Sequence, residues 1–144
     1  WRHSQDIIHR FKQAPNAVLF AAGSCWEGVD FPGDMVSSLI IARLPFPVPD
    51  PLSEAEREQY PTLQDYIKTV VIPDMQVKLR QGFGRAIRTE TDTCVVSILD
   101  HRAAPGERYH KAVLETLPLI RITAKIEDVE DFIRAKKGPD YFMS

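Results

Sequence analysis

The segment Gln81–Arg88 carries the pattern that most restricts how this chain can fold. Apolar residues recur at every fourth position through this part of the sequence: Met75, Leu79, Phe83 and Ile87. This spacing predicts a helix that packs one side against a core. The opposite side, at positions i, i+3, i+4 and i+7, carries Gln81, Gly84, Arg85 and Arg88. The sequence therefore predicts an anchored helix that presents two guanidinium groups about one turn apart.

Two interpretations of the paired arginines follow from the residues alone. A guanidinium is planar, keeps its proton and binds anionic oxygens such as those of a phosphate. Gly82 and Gly84 each cost a helix roughly 1 kcal/mol relative to alanine, which favours a ligand that approaches the backbone closely. An exposed basic helix face with ordinary surface ion pairs has the same spacing. The spacing leaves both interpretations open.

Two motifs give a resemblance to a known family. Residues 81–88, QGFGRAIR, resemble motif VI (Q-x-x-G-R-x-x-R) of superfamily 2 helicases, and GSCWEGVDF at 23–31 resembles their motif V, taken here as 23–33. Between them lies a Pro-rich strap at 44–52, and this order is similar to the DinG/XPD branch of DNA helicases. The resemblance covers most of the chain. It implies a RecA-like fold and the second, C-terminal motor domain of a longer protein, with residues 1–144 forming one domain.

The resemblance assigns catalytic roles to motif VI. It implies that Arg85 and Arg88 reach the γ-phosphate of ATP as arginine fingers. Gln81 is implied to contact that phosphate or the attacking water, and Gly84 to lie in the nucleotide site. The chain lacks a G-x-x-x-x-G-K-[ST] phosphate loop. The ligands of ATP and Mg²⁺ are therefore expected mainly on a first motor domain, and this chain alone is expected to be inactive.

The resemblance also assigns roles to motif V. Gly28 and Asp30 are implied to place the nucleotide, with Asp30 binding either a ribose hydroxyl or a motif VI arginine. Glu27 either orients one of the arginines or braces its own loop through backbone amides. Ser24 is implied to donate to a DNA phosphate. Trp26 either stacks on a base or packs beside the strand end.

Periodicity and turn residues predict alternating strands and helices. Buried strands are expected at Asn16–Ala22 and Val36–Leu44, and further strands at Thr93–Leu99 and Ile120–Thr123. Helices are expected over 6–11, from a cap at Ser53, over 62–71, from a cap at Asp74 after an interruption at Pro73, and over 108–117 and 126–136. The alternation predicts an α/β fold with a mainly parallel sheet and helices on both faces.

Composition narrows the classes of function. The net charge of −2 argues against a freestanding nucleic-acid-binding domain. Two cysteines are too few for a structural zinc site, so no metal site is expected. The family resemblance implies that any 4Fe-4S cluster would lie elsewhere in the full chain. The sequence has no apolar run long enough to span a membrane and no initiator methionine. A piece of a longer cytoplasmic protein, in the bacterial cytosol or nucleoid, is expected.

The function implied by the resemblance is a DNA helicase motor. Its partners would be single-stranded DNA and the N-terminal RecA-like domain of the same chain, with 5′–3′ travel in DNA repair or replication. One alternative is a DinG-related protein that is fused to a nuclease or hydrolyses ATP without unwinding. Another is a nonenzymatic nucleic-acid-binding module. The acidic residues Glu54, Glu56 and Glu58 invite a metal site, but their spacing scatters them around a helix and favours solvated surface.

Overall fold

The computed structural model describes residues 2–14, 16–21, 29, 31, 35–87, 93–117 and 121–139. The helices in these residues are α1 Arg2–Gln13, α2 Pro51–Arg57, α3 Leu63–Tyr66, α4 Ile72–Ala86, α5 His110–Thr116 and α6 Ile126–Lys136. A π-helix, Ile67–Val71, joins α3 to α4, and a 3-10 helix, His101–Ala103, precedes α5. The strands are β1 Ser38–Ile41 and β2 Val95–Ile98.

The two strands form a parallel pair. The Val95 N–H donates to the Ser37 carbonyl and the Leu99 N–H donates to the Ile41 carbonyl, each at 2.9 Å. Both positions advance along the chain in the same direction by the same step, which is the register of parallel strands. In the part of the chain that the structure describes, this pair is a two-stranded sheet. Parallel strands combined with helices confirm the predicted α/β class.

The chain divides into two compact units. One consists of Ile40–Phe83 and Ser97–Leu119. Its buried apolar residues are Ile41, Leu44, Tyr66, Met75, Leu79, Phe83, Tyr109 and Val113. The other consists of Trp1–Leu39, Gly84–Val96 and Ile120–Ser144. Within it, Phe11 of α1 meets the Phe31 ring edge to face at 5.5 Å, and the Lys12 ammonium lies 5.7 Å from the same ring.

Helical structure continues without a break from Leu63 to Ala86, so the predicted interruption at Pro73 and cap at Asp74 are wrong. The Thr62 hydroxyl caps the start by accepting the Asp65 N–H at 3.1 Å. Just before Pro73, the Ile72 N–H bonds the Ile67 carbonyl, five residues back. Proline lacks an N–H and its ring crowds the preceding turn of a regular α-helix. A wider π turn at this point relieves that conflict, and the helix passes through.

The helix α2 begins earlier than predicted. Its cap is Asp50, whose carboxylate accepts the Ser53 N–H at 2.7 Å, while the Ser53 hydroxyl accepts the Asp50 N–H at 2.9 Å. This reciprocal pair is a capping box, with Pro51 at the start of the helix where no N–H is needed. Ser53 is therefore a member of the first turn, and the last two residues of the 44–52 strap are helical.

Two predicted strands are wrong in the residues that can be compared. Residues 16–21 form no strand, and the side chains of Val18 and Phe20 are 78% and 94% exposed. Residues 121–123 are likewise exposed and form no strand. The strand predicted at Val36–Leu44 exists as β1 but is covered on one side, since Ile41 is buried and Ile40 is 62% exposed. An apolar run predicts burial but cannot name the strand that must pair with it.

Candidate functional site

The helix α4 has an anchored side and an outward side. Met75 and Leu79 are fully buried, and Phe83 and Ala86 are nearly so. This confirms the side of the helix that the sequence places in the core. On the other side, Gln81 and Gly84 are exposed and Arg85 is half-buried. Because Met75 and Leu79 fix the rotation of the helix, the direction of its outward side is fixed as well.

Gly84 has no role in packing the described part of the chain. A Cβ atom placed on it would meet no atom within 4 Å. A glycine inside a helix costs about 1 kcal/mol relative to alanine because its backbone loses more freedom on folding. Nothing in the described contacts offsets that cost.

Two further interactions hold the part of α4 that precedes Gln81, Gly84 and Arg85. The Gln76 side-chain amide donates to the Ala112 carbonyl of α5 at 2.9 Å, which ties the two helices together. Asp74 and Lys78 form an i, i+4 ion pair at 3.0 Å. Both are partly exposed, so the pair adds only about 0.3–0.5 kcal/mol to the stability of the helix. The buried residues and the Gln76 bond, rather than this pair, position the helix.

Asp100 lies just after β2 and fixes the chain that follows β1. Its carboxylate is only 4% exposed and accepts the Leu44 N–H at 3.0 Å. It also accepts Nε and Nη2 of Arg102, at 2.9 and 2.6 Å, in a bidentate pair. These Arg102 hydrogen bonds, helped by the backbone N–H groups of Leu44 and Arg102, hold the pKa of Asp100 well below its usual range against the opposing effect of burial.

The Arg102 guanidinium packs on aromatic rings as well. It lies 4.9 Å from the Phe46 ring centre and 6.0 Å from that of Tyr109, and these two rings are 4.8 Å apart. The hydrogen bonds to Asp100 raise the pKa of Arg102. The strap is thereby fixed to the chain after β2 through Leu44 and Phe46. These packed contacts hold the strap within the fold.

The comparison with known families decides the class of protein. Residues 2–119 match the family model described as the helicase C-terminal domain. The chain belongs to the helicase C-terminal domain family.

Relatives of this helicase C-terminal domain carry three different names. It is 38% identical over 133 residues to the ATP-dependent DNA helicase YoaA of Haemophilus influenzae, covering 90% of the chain and 20% of that protein. It is 33% identical to the 3′-5′ exonuclease DinG of Bacillus subtilis, covering 91% and 14%. It is 34% identical to the ATP-dependent helicase DinG of Mycobacterium tuberculosis H37Rv, covering 91% and 20%. The chain thus spans about a fifth or less of each of these relatives.

The structure describes three of the nine site residues predicted for the helicase C-terminal domain. Gln81, Gly84 and Arg85 share one side of α4, as their spacing predicts. The other six lie outside the described residues: Ser24, Trp26, Glu27, Gly28, Asp30 and Arg88. Within motif V, Val29 is buried and Phe31 is half-buried against α1.

Sequence reasoning missed two aromatic residues of the helicase C-terminal domain. The family resemblance implies that Asp100 and Arg102, an Asp-x-Arg sequence at the end of a strand, brace the motif VI helix. The described contacts of this pair go to the strap and to Tyr109, and neither Phe46 nor Tyr109 was predicted to take part. The aromatic residue inside the Pro-rich strap was the available signal, because an arginine near a strand end packs well on such a ring.

The remaining sequence features of the helicase C-terminal domain have plain outcomes. Glu54, Glu56 and Glu58 are all exposed. In the described ranges, no three His, Cys, Asp or Glu side chains are grouped so that they could hold a metal ion. Among the helices of those same ranges, none has the length and apolar content needed to cross a membrane.

Proposed function

We propose that this chain is the second motor domain of an ATP-dependent DNA helicase and that α4 supplies arginine fingers for ATP hydrolysis. The family match and the relatives named as ATP-dependent helicases support the class of protein. The observation that carries the role of α4 is its division into two sides. Met75 and Leu79 are fully buried, whereas Gln81 and Gly84 face outward beside Arg85.

The outward side of α4 has the chemistry that a polyphosphate needs. The guanidinium of Arg85 offers fixed, permanently charged donors to phosphate oxygens, and Arg88 would offer a second set one turn later. ATP bound with Mg²⁺, held mainly by a first motor domain, would supply the phosphoryl group. Arg85 and Arg88 stabilise the charge that develops on it during transfer, and Gln81 orients the γ-phosphate or the attacking water. Gly84 leaves the backbone open to the nucleotide.

The motif V residues complete this proposal. The proposed nucleotide contacts of motif V are made by Glu27, Gly28 and Asp30. Its proposed DNA contacts are made by Ser24, which donates to a phosphate, and by Trp26, which stacks on a base. Movement of this loop as ATP is hydrolysed shifts single-stranded DNA. The motor travels in the 5′–3′ direction, and its role is in DNA repair or replication. The support for these assignments is the matched family and the motif itself.

Replacing Arg85 tests the arginine-finger role. In the full-length protein, Arg85→Ala is expected to lower ATP turnover by about 10³–10⁵-fold, which corresponds to ~4–7 kcal/mol of barrier, while ATP binding changes little. The matched control is Arg80→Ala, because Arg80 is exposed on the same helix about 140° around the axis from Arg85. Both variants make the same chemical change to the same helix. Equal turnover in the two would remove Arg85 from catalysis.

A nuclease-fused protein is the second candidate, and one relative favours it. The Bacillus subtilis relative is named a 3′-5′ exonuclease, yet the match covers only 14% of its length. Most of that relative therefore lies outside the matched part. DNA degradation by the full-length protein, measured with and without ATP, separates the candidates. Nuclease activity that persists in Arg85→Ala would identify the fused type.

A further inference from the structure

The buried Tyr109 ring lies close to two guanidinium groups. That of Arg102 is 6.0 Å from the ring centre and that of Arg108 is 5.4 Å from it. The charge of Arg102 is balanced, because its guanidinium forms a bidentate pair with the Asp100 carboxylate. Arg108 is exposed and forms no ion pair with any carboxylate of the described residues. Among those residues, Arg108 is therefore a surface charge that no acidic side chain neutralises.

Arg43 brings a second charge of this kind to the same cluster. It follows β1 and directly precedes Leu44, whose N–H donates to the Asp100 carboxylate at 3.0 Å. It too is exposed, and within the described ranges it forms no ion pair. Asp100 follows β2, and the carboxyl ends of neighbouring parallel strands share the edge of the sheet where open α/β folds bind their ligands. Arg43 and Arg108 thus flank a fixed cluster at that edge.

The charges of this compact unit are unevenly distributed. Residues 50–65 contain a single arginine, Arg57, and five carboxylates, all of them exposed. These acidic residues are Asp50, Glu54, Glu56, Glu58 and Asp65. A polyanion is repelled by such a segment and attracted by guanidinium groups that no carboxylate neutralises. Within this unit, the strand ends are therefore the more favourable surface for a phosphate backbone.

We propose that Arg43 and Arg108 each bind a phosphate of single-stranded DNA, at a site separate from motif V. The Asp100 carboxylate fixes the backbone next to Arg43 by accepting the Leu44 N–H. The Tyr109 ring packs on the Arg108 guanidinium, which limits the freedom that this side chain loses on binding. Contacts to phosphates carry no sequence information, so the site holds the strand without selecting its bases. This inference rests on the DNA-binding function proposed above.

The salt dependence of DNA binding tests the site. For single strands, each phosphate contact adds about 0.7 to the slope of log K against log salt concentration. In the full-length protein, Arg43→Ala and Arg108→Ala are each expected to lower that slope by about 0.7, and the double variant by about 1.4. Arg57→Ala is the matched control and should keep the native slope, because Arg57 is an exposed arginine of the acidic segment 50–65. Fluorescence anisotropy with a labelled oligothymidylate measures all of them.

A variant that preserves the charge separates phosphate binding from damage to the fold. Arg108→Lys keeps the positive charge but loses the planar guanidinium that packs on Tyr109. It should bind the oligothymidylate with close to the native slope. A slope that falls as far in Arg108→Lys as in Arg108→Ala would overturn the phosphate contact, because the loss would then come from packing and not from charge.

The outcomes also keep this site distinct from the proposed function. If the native full-length protein does not bind the oligothymidylate, the proposed function fails and the site fails with it. If the native protein binds, but the slopes of Arg43→Ala and Arg108→Ala equal that of Arg57→Ala, the site alone fails. Slopes lowered in both variants and native in Arg57→Ala would establish the two contacts.

Discussion

The sequence predicts burial both for the apolar side of α4 and for the apolar run at 17–21, but only the side of α4 is buried. Met75 and Leu79 are fully buried, whereas Val18 and Phe20 are 78% and 94% exposed. The residues of the run are as apolar as those of the helix, so hydrophobicity does not separate the two. The difference lies in what each segment needs from the rest of the chain.

A helix bonds its own backbone, and its spacing alone selects the side that faces a core. The apolar residues of α4 therefore carry enough information to predict both its structure and its burial. A strand must find a neighbour for its N–H and C=O groups, and nothing in the run at 17–21 specifies one. β1 shows the successful case, because the carbonyl of its last residue, Ile41, accepts the N–H of Leu99 just after β2, and Ile41 is buried.

The largest effect on the free energy of unfolding is expected from shortening a buried side chain of α4. Leu79→Ala should lower the free energy of unfolding by about 2–5 kcal/mol, because it removes apolar contacts and leaves a cavity. Leu52→Ala is the matched control, since Leu52 is 80% exposed on α2 and should change stability by no more than about 0.5 kcal/mol. Denaturant unfolding followed by circular dichroism measures both. Equal losses would break the contrast between buried and exposed apolar residues.

A smaller effect is expected where a side chain, rather than a strand, holds irregular backbone. Asp100→Asn should lower the free energy of unfolding by about 1–3 kcal/mol at neutral pH, because the Arg102 pair and the Leu44 N–H lose their charged acceptor. The strap thus differs from the run at 17–21, because the Asp100 carboxylate accepts the Leu44 N–H and holds the strap although it forms no strand.

The pH dependence of that difference has a definite sign. The pKa of Asp100 is lowered in the folded state, so its stabilising contribution is complete above the unfolded-state value of about 3.9. It is lost as the pH falls through the lower folded-state value, when the carboxylate is protonated. The stability gap between the native chain and Asp100→Asn should therefore narrow below about pH 4. A gap that stays constant on acidification would contradict the assigned role of the charge.

The smallest effect is expected at the exposed run itself. Phe20→Ser should change the free energy of unfolding by no more than about 0.5 kcal/mol, because its ring is 94% exposed and gives up little contact. The same unfolding measurement checks it, with Leu79→Ala as the reference for a buried residue. A loss as large as that of Leu79→Ala would show that Phe20 is covered, as a buried strand requires.

Local patterns predicted much of the fold. The helix α6 has the predicted bounds, Ile126–Lys136, and the core side of α4 follows from residues four apart. The predicted interruption at Pro73 failed because the turn before the proline is not α-helical. A π turn, with the Ile72 N–H bonded to the Ile67 carbonyl, precedes Pro73, and no periodicity of the residues predicts that wider turn. The strand predictions failed because a strand forms only where a neighbouring segment can pair with it, and the segment's own sequence does not identify that neighbour.

The candidate site divides in the same way. Helical spacing placed Gln81, Gly84 and Arg85 on one side of α4, and the structure agrees. The importance of Asp100 was visible at the strand end, but its bond to Leu44 joins residues 56 positions apart. No periodicity or motif reports a contact over that distance. The side chains that a single element arranges were predictable, and those that two distant segments bring together were not.

At Gly84, the substitution that would raise thermal stability is expected to lower activity. The space beside its Cα is open, so an alanine would fit there and strengthen the helix. Selection for heat resistance alone would replace this glycine early, because the change meets no obstacle inside the molecule. If the opening is reserved for a nucleotide, the sturdier protein would be the slower motor.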